Sequence, residues 1–191
     1  RFATLSFHET KNFICGEGGA LIVNRPDDVA RANVLYHKGT NRQAFLLGQV
    51  DKYSWQDVGS SFGLSDVLAA YLYGQLEQRD AILAKRRHAF DRYHDLLEPA
   101  THELPITLPN VPPNCEQAYH MFYVLLADKA ERDRVLQEMS AAGVHATFHY
   151  VPLHSSPGGH RFAARETACP VTDEISGRLL RLPFFTNLSD G

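Results

Sequence analysis

Cysteine, tryptophan and methionine are scarce in this chain: three Cys, one Trp and two Met in 191 residues. Cys15, Cys115 and Cys169 form no CxxC pair, and their odd number argues against a disulfide framework and for a reducing, cytoplasmic compartment. No apolar run approaches the ~20 residues of a membrane span, and the N-terminus has no signal-peptide pattern. Excess charge is missing too. The net charge is −3, and no extended basic stripe suggests nucleic acid or anionic lipid as a partner. The densest basic run, Lys85-Arg86-Arg87, lies in a helical pattern among Asp80, Asp91 and Asp95 and reads as a solvated helix face. There is no initiator Met, and the sequence opens in a strand-like segment, as expected of a piece of a longer protein.

What is present is an ordinary globular composition, 44% hydrophobic, with length for one core or two small ones. Ala3–Phe7 and Ala20–Val23 read as buried strands. The loop between them carries Lys11 and then Gly16, Gly18 and Gly19. Glycines there allow positive φ or close approach to a bound group. A lysine at a strand end beside such a return is where an amine could be desolvated and made nucleophilic. A lone loop lysine is otherwise a solvated surface charge.

Asn24–Asp28 reads as a turn into a helix over Asp27–Tyr36, stopped by Gly39-Thr40-Asn41. Residues 40–63 look irregular; Phe45, Tyr53 and Trp55 there either dock on a partner subunit or pack on their own domain. Apolar residues then recur at spacings of three and four from Leu64 to Leu97, between a Ser65 cap and Pro99. At ~1.5 Å per residue such a helix spans about 48 Å, so a kink or a bridge between substructures is expected. Five of the ten prolines fall in 99–118, an extended connector. Tyr119–Ala127 (strand), Glu131–Ala142 (helix) and Val144–Val151 (strand) form an α+β unit, followed by a short helix near Glu174–Leu180. The organisation expected is therefore 1–63, a connecting helix 64–98, a connector 99–118 and a small C-terminal domain 119–191.

The histidines do not make a metal pair. His145 and His149 lie four apart on a strand pattern, about 13 Å from each other at ~3.3 Å per residue, and no HExxH or Cys/His spacing accompanies them. His149 and His154 read as strand-end histidines facing a polar cleft, or as ordinary partly exposed ones. Gly16-Glu17-Gly18-Gly19 matches neither nucleotide fingerprint and precedes a strand, where the dinucleotide motif precedes a helix. Ser6 ends the first strand; its hydroxyl could donate to a phosphate or cap the local backbone.

Four blocks together are more specific: Ser6-Phe7-His8-Glu9-Thr10-Lys11-Asn12, Gly16-Glu17-Gly18-Gly19, Gly59–Ala70 with Gln75-Leu76, and His149-Tyr150-Val151-Pro152-Leu153-His154. In this order and spacing the chain resembles the sugar aminotransferases dependent on pyridoxal 5′-phosphate (PLP), the DegT/DnrJ/EryC1/StrS family. His8-Glu9-Thr10-Lys11-Asn12 together with the stretch Gly48–Tyr53 and Gly59-Ser60-Ser61 resemble the branch that aminates dTDP-4-dehydro-6-deoxy-D-glucose to dTDP-4-amino-4,6-dideoxy-D-galactose, for enterobacterial common antigen and similar polysaccharides. The fold implied is α/β, PLP-dependent transferase fold type I: the end of the PLP-binding large domain over 1–63, then the helix, connector and small domain. The resemblance implies that Lys11 holds the cofactor aldehyde, that Ser6 touches its phosphate, and that Ser61 reaches the phosphate of the neighbouring subunit. Gly63 stands where relatives often have Arg, a departure at that contact. His149, Tyr150 and His154 match a segment facing the sugar nucleotide.

The partners implied are a nucleotide sugar and an amino-acid donor, glutamate, with a homodimer for the full-length protein. Relatives carry an N-terminal half that supplies the aspartate for the pyridine nitrogen and the residue stacked on the ring. These 191 residues alone are therefore expected to bind PLP poorly and to lack transaminase activity. The alternative is a non-catalytic regulatory or binding module that keeps the fold. A sugar 3-dehydratase would carry His where this chain has Lys11.

Overall fold

The computed structural model describes residues 1–165 and 167–189. It divides into two compact units, Arg1–Arg79 and Asp80–Gly191.

The first unit begins with an antiparallel ribbon, β1 (Phe2–Ser6) and β2 (Gly19–Val23), in register from Phe2 opposite Val23 to Ser6 opposite Gly19. These strands were expected to be buried, yet β1 is exposed throughout and β2 in all but Val23. Among the described residues the ribbon gains no third strand, so Leu5, Leu21 and Ile22 keep their apolar surface uncovered. Helix α1 (Pro26–Tyr36) starts one residue earlier than expected, with Pro26 in its first turn and Asp27 and Asp28 at its positive end. Arg1 donates to Asp28 at 2.7 Å and 2.5 Å, and that hydrogen bond holds the carboxyl below its ordinary range. The helix ends through two left-handed residues, Lys38 (φ 62°) and Gly39 (φ 76°). A side chain at Gly39 would strike the Asp57 carbonyl, so glycine is required there on two counts.

The stretch 40–63 is less irregular than its composition suggests. It holds a short helix, α2 (Arg42–Leu46). Asn41 then ties it together, donating to the Lys52 carbonyl at 2.9 Å and accepting from the Ser54 amide at 2.7 Å. Trp55 donates to the Asp57 carbonyl at 2.7 Å while remaining 77% exposed. Helix α3 (Asp66–Glu77) is capped as expected by Ser65, which accepts from the Leu68 amide. The helix over 64–98, for which a kink or a bridge was expected, is broken in two: α3 stops at Gln78 (φ −95°, ψ 13°), and α4 (Arg79–Leu97) begins at once. No glycine or proline marks the break, which the apolar spacing runs straight through.

The second unit is built on α4 and a three-stranded antiparallel sheet in the order β3 (Tyr123–Leu125), β5 (Leu179–Arg181), β4 (Thr147–Phe148). Its core is Phe90 of α4 with Phe122, Val124, Leu126, Ala146 and Leu180. Tyr93 stacks on Phe122 at 5.1 Å and donates to the Pro183 carbonyl at 2.8 Å. Helix α5 (Lys129–Ala141) starts before the expected Glu131 because Asp128 caps it, accepting from the Glu131 amide at 2.9 Å. Both strands flanking it are shorter than expected. The helix expected near Glu174–Leu180 is α7 (Pro170–Arg178), and Leu179–Arg181 is the central strand instead of helix. Its backbone pairs on both sides, a tertiary demand that outweighs local preference. A further short helix, α6 (Pro157–Phe162), was not expected of a segment with Gly158 and Gly159; Ser156 caps it through the Gly159 amide at 3.0 Å.

Candidate functional site

The loop from β1 to β2 folds on its own backbone. Phe7 donates to Gly18 at 2.8 Å, Glu9 to Gly16 at 2.9 Å, Lys11 to His8 at 2.9 Å and Cys15 to Phe7 at 2.8 Å. Gly16 takes φ 82°, which an L-residue adopts only under strain. Cys15, 1% exposed, fills the inside of the loop, its thiol facing the Phe7 and Glu17 carbonyls at 3.6 and 3.4 Å.

Lys11 sits on the outer part of this loop and is exposed. The desolvation considered for its amine is therefore not supplied by the described residues of its own unit. Ser6 ends β1 opposite Gly19, five residues before Lys11, and is also exposed. Ser61 is not on this ribbon. It forms an isolated antiparallel bridge with His37, just past α1, and is exposed.

This donor set fits part of a PLP site. A primary amine and a strand-end hydroxyl on one ribbon suit an aldehyde and a phosphate. Gly16 leaves open space where a side chain would stand. Lys11 and Ser6 thus lie on one ribbon and its loop, and Ser61 on a separate bridge, all three exposed.

His149, Tyr150 and His154 belong to the second unit. His149 follows β4, its ring edge-on to Tyr150 at 5.4 Å. Its Nδ1 is buried without a hydrogen-bond partner. Burial first, and the Arg181 guanidinium second, push the imidazole below its ordinary value. Tyr150 is 73% exposed. His154 lies on the 3₁₀ turn Leu153–Ser155, with Nε2 3.0 Å from Asp173 of α7. Asp173 and Arg181 were not legible as partners of these histidines, because they lie distant in sequence and follow no motif spacing. None of the six residues lines the cavity of about 620 Å³ between α4 and residues 109–119, which includes Arg87, His94 and Tyr119.

Among the described residues no group of three or more His, Cys, Asp or Glu is placed to hold a metal ion, and no helix is long and apolar enough to cross a membrane.

The model of the DegT/DnrJ/EryC1/StrS aminotransferase family matches residues 1–191. The erythromycin biosynthesis sensory transduction protein EryC1 of Saccharopolyspora erythraea is 30% identical over 190 residues, 98% of this chain and 48% of the relative. Among solved structures, the aminotransferase TlmJ of Streptoalloteichus hindustanus superposes with a TM-score of 0.82 at 25% identity, over 99% of this chain and 48% of that one. DesV of S. venezuelae, solved in complex with a ketimine intermediate, gives 0.81 at 28% identity, over 98% and 47%. PseC of Helicobacter pylori, an aminotransferase involved in pseudoaminic acid biosynthesis, gives 0.83 at 18% identity, over 98% and 49%. The chain thus spans about half the length of the relatives it matches, and the α/β assignment, a partial aminotransferase fold of type I, holds along nearly all of it.

Proposed function

Since the chain belongs to the DegT/DnrJ/EryC1/StrS aminotransferase family, we propose that it is the lysine-bearing and small-domain part of a PLP-dependent aminotransferase acting on a nucleotide-linked keto sugar. The supporting observation is the Lys11 loop: an accessible amine on a hydrogen-bonded turn, on the same ribbon as the Ser6 hydroxyl. When bound, PLP supplies an aldehyde that accepts an amino group and a ring that takes up electron density. Lys11 Nζ would be the group that holds that aldehyde. With its amine free, Lys11 would be a base able to take and return a proton at the reacting carbon. The Ser6 hydroxyl would donate to the phosphate, and Ser61 would donate to the phosphate bound by a neighbouring subunit. His149, Tyr150 and His154 orient the sugar nucleotide.

At the finer level we propose dTDP-4-dehydro-6-deoxy-D-glucose as acceptor, glutamate as donor and dTDP-4-amino-4,6-dideoxy-D-galactose as product, in a cytoplasmic homodimer serving cell-surface polysaccharide synthesis. The resemblance of Gly48–Tyr53 and Gly59-Ser60-Ser61 to that branch supports this choice. The test is borohydride reduction of the full-length protein with PLP, followed by peptide mapping. Label on Lys11 is expected; label on another lysine, or none, overturns the reading. A second reading, a non-catalytic regulatory module, gains from the name of the relative from Saccharopolyspora erythraea, a sensory transduction protein. It is favoured if Lys11→Ala leaves the biological activity unchanged.

A further inference from the structure

The two limbs of the Lys11 loop hold each other through the Phe7–Gly18 and Glu9–Gly16 bonds and the buried Cys15 thiol. Its outer part, residues 10–14, reaches beyond that ladder. There α3 enters. The side-chain carbonyl of Gln75, half-buried on the last turns of α3, accepts from the Ile14 amide at 3.1 Å, across 61 positions of sequence. The segment that leads into α3 touches the loop as well. Leu64, just before the Ser65 cap, packs so closely on Gly18 that an added Cβ there would lie 3.2 Å from its methyl group. Leu64 before α3 thus meets the loop near its return, and Gln75 of α3 near its crest.

We propose that Gln75 is a positioning residue for Lys11: by holding the Ile14 amide it fixes the outer loop, and with it the place from which the lysine amine works. This rests on the reading of Lys11 given above. Ile14 is three residues from Lys11, so backbone freedom at 14 passes to the lysine Cα through few torsions. Without that bond the Ile14 amide would turn to water and the outer loop would open. Small misplacement of a reacting group is expensive in rate, since attack depends on near-contact geometry. Loosening the loop should therefore slow the chemical step and leave sugar-nucleotide binding in place.

The experiment compares Gln75→Met and Gln75→Glu in the full-length, PLP-loaded protein. Methionine keeps the length without an acceptor; glutamate keeps an acceptor oxygen. In Gln75→Met, hydrogen exchange at the Ile14 amide is expected to quicken about tenfold, the worth of one ordinary hydrogen bond. The amide of Leu72, buried on the same helix, should be unaffected. Over the same change kcat falls by about tenfold or more while KM for the sugar nucleotide holds, and Gln75→Glu restores both readouts. Unchanged exchange at Ile14, an equal loss in Gln75→Glu, or quickened exchange along all of α3 overturns the proposal. Borohydride labelling of the wild type keeps the two ideas apart. Labelled Lys11 with unaltered Ile14 exchange sinks the brace alone, whereas unlabelled Lys11 sinks the functional reading and the brace's purpose with it.

Discussion

Arg86 Nε donates to the carbonyl of Tyr119 at 2.8 Å, and Tyr119 is one of two non-glycine residues with positive φ among those described (φ 47°). The guanidinium also donates to the His120 carbonyl at 2.6 Å and to Thr186 Oγ1 at 3.3 Å, and it lies over the Phe184 ring at 5.0 Å. A side chain expected on a solvated helix face is thus 6% exposed, and it joins α4 to the chain on either side of the sheet. Burial lowers its pKa from the usual arginine value, without making it neutral in the working range.

Arg86→Met should therefore destabilise the second unit strongly. It removes the guanidinium's bonds to the Tyr119 and His120 carbonyls and releases the Tyr119 turn, at about 1.5–3 kcal/mol for each hydrogen bond to a charged group. Arg86→Lys should recover only part, because an ammonium cannot reproduce the planar fork. Urea denaturation of the full-length protein checks this. Equal midpoints for Arg86→Met and wild type would contradict the anchoring role.

The exposure of Lys11 leads to a second expectation. Among the described residues Lys11, Ser6 and Ser61, the proposed cofactor ligands, are all exposed, so none of them is enclosed. The isolated 191-residue chain should therefore bind PLP weakly and show no glutamate-dependent conversion. A stable visible absorbance band on adding PLP, bleached by glutamate, would contradict this.

The helices were the most legible part of the fold, because their apolar spacing and caps are local. Ser65 and the stop after Tyr36 could be placed from neighbours in the sequence alone. The α3–α4 break at Gln78 could not, since the apolar pattern continues through it. Leu179 and Leu180 were read as the end of a helix because the strand character of Leu179–Arg181 comes from Tyr123–Leu125 and Thr147–Phe148, partners distant in sequence. At the site, Lys11 and Ser6 stood out as residue types at a strand end. Cys15 and Gln75 did not stand out as supports of the loop, because a buried thiol and a helical amide reveal their roles only once the loop has folded.

Gly18 and Cys15 should be energetically coupled. A Cβ at Gly18 would lie 2.5 Å from the Cys15 sulfur and 3.2 Å from Leu64. Gly18→Ala should therefore destabilise the first unit by about 1–3 kcal/mol, the usual cost of overpacking. Cys15→Ala should also destabilise, by emptying the inside of the loop. In the double variant the cavity takes up the added methyl, so the combined loss should be smaller than the sum of the two. Additive losses in a double-mutant cycle, measured by chemical denaturation of the full-length protein, would show that the sulfur does not limit Gly18.

His149 provides a pH signature for the second unit. Burial and the Arg181 charge keep its folded-state pKa below the ordinary value of about 6.5. Between those two values the unfolded chain binds more protons than the folded one, so stability rises with pH through that window. The contribution is complete above the ordinary histidine value and is lost as pH falls through the folded one. Replacing His149 with Gln should flatten this part of the stability profile. Arg181→Met should move the imidazole only partway back, because burial, the larger cause, remains. NMR titration of the ring, alongside thermal unfolding across the same pH range, measures both. An imidazole titrating at or above the ordinary value would mean that the buried Nδ1 finds a partner in solution and that the Arg181 charge is not felt there.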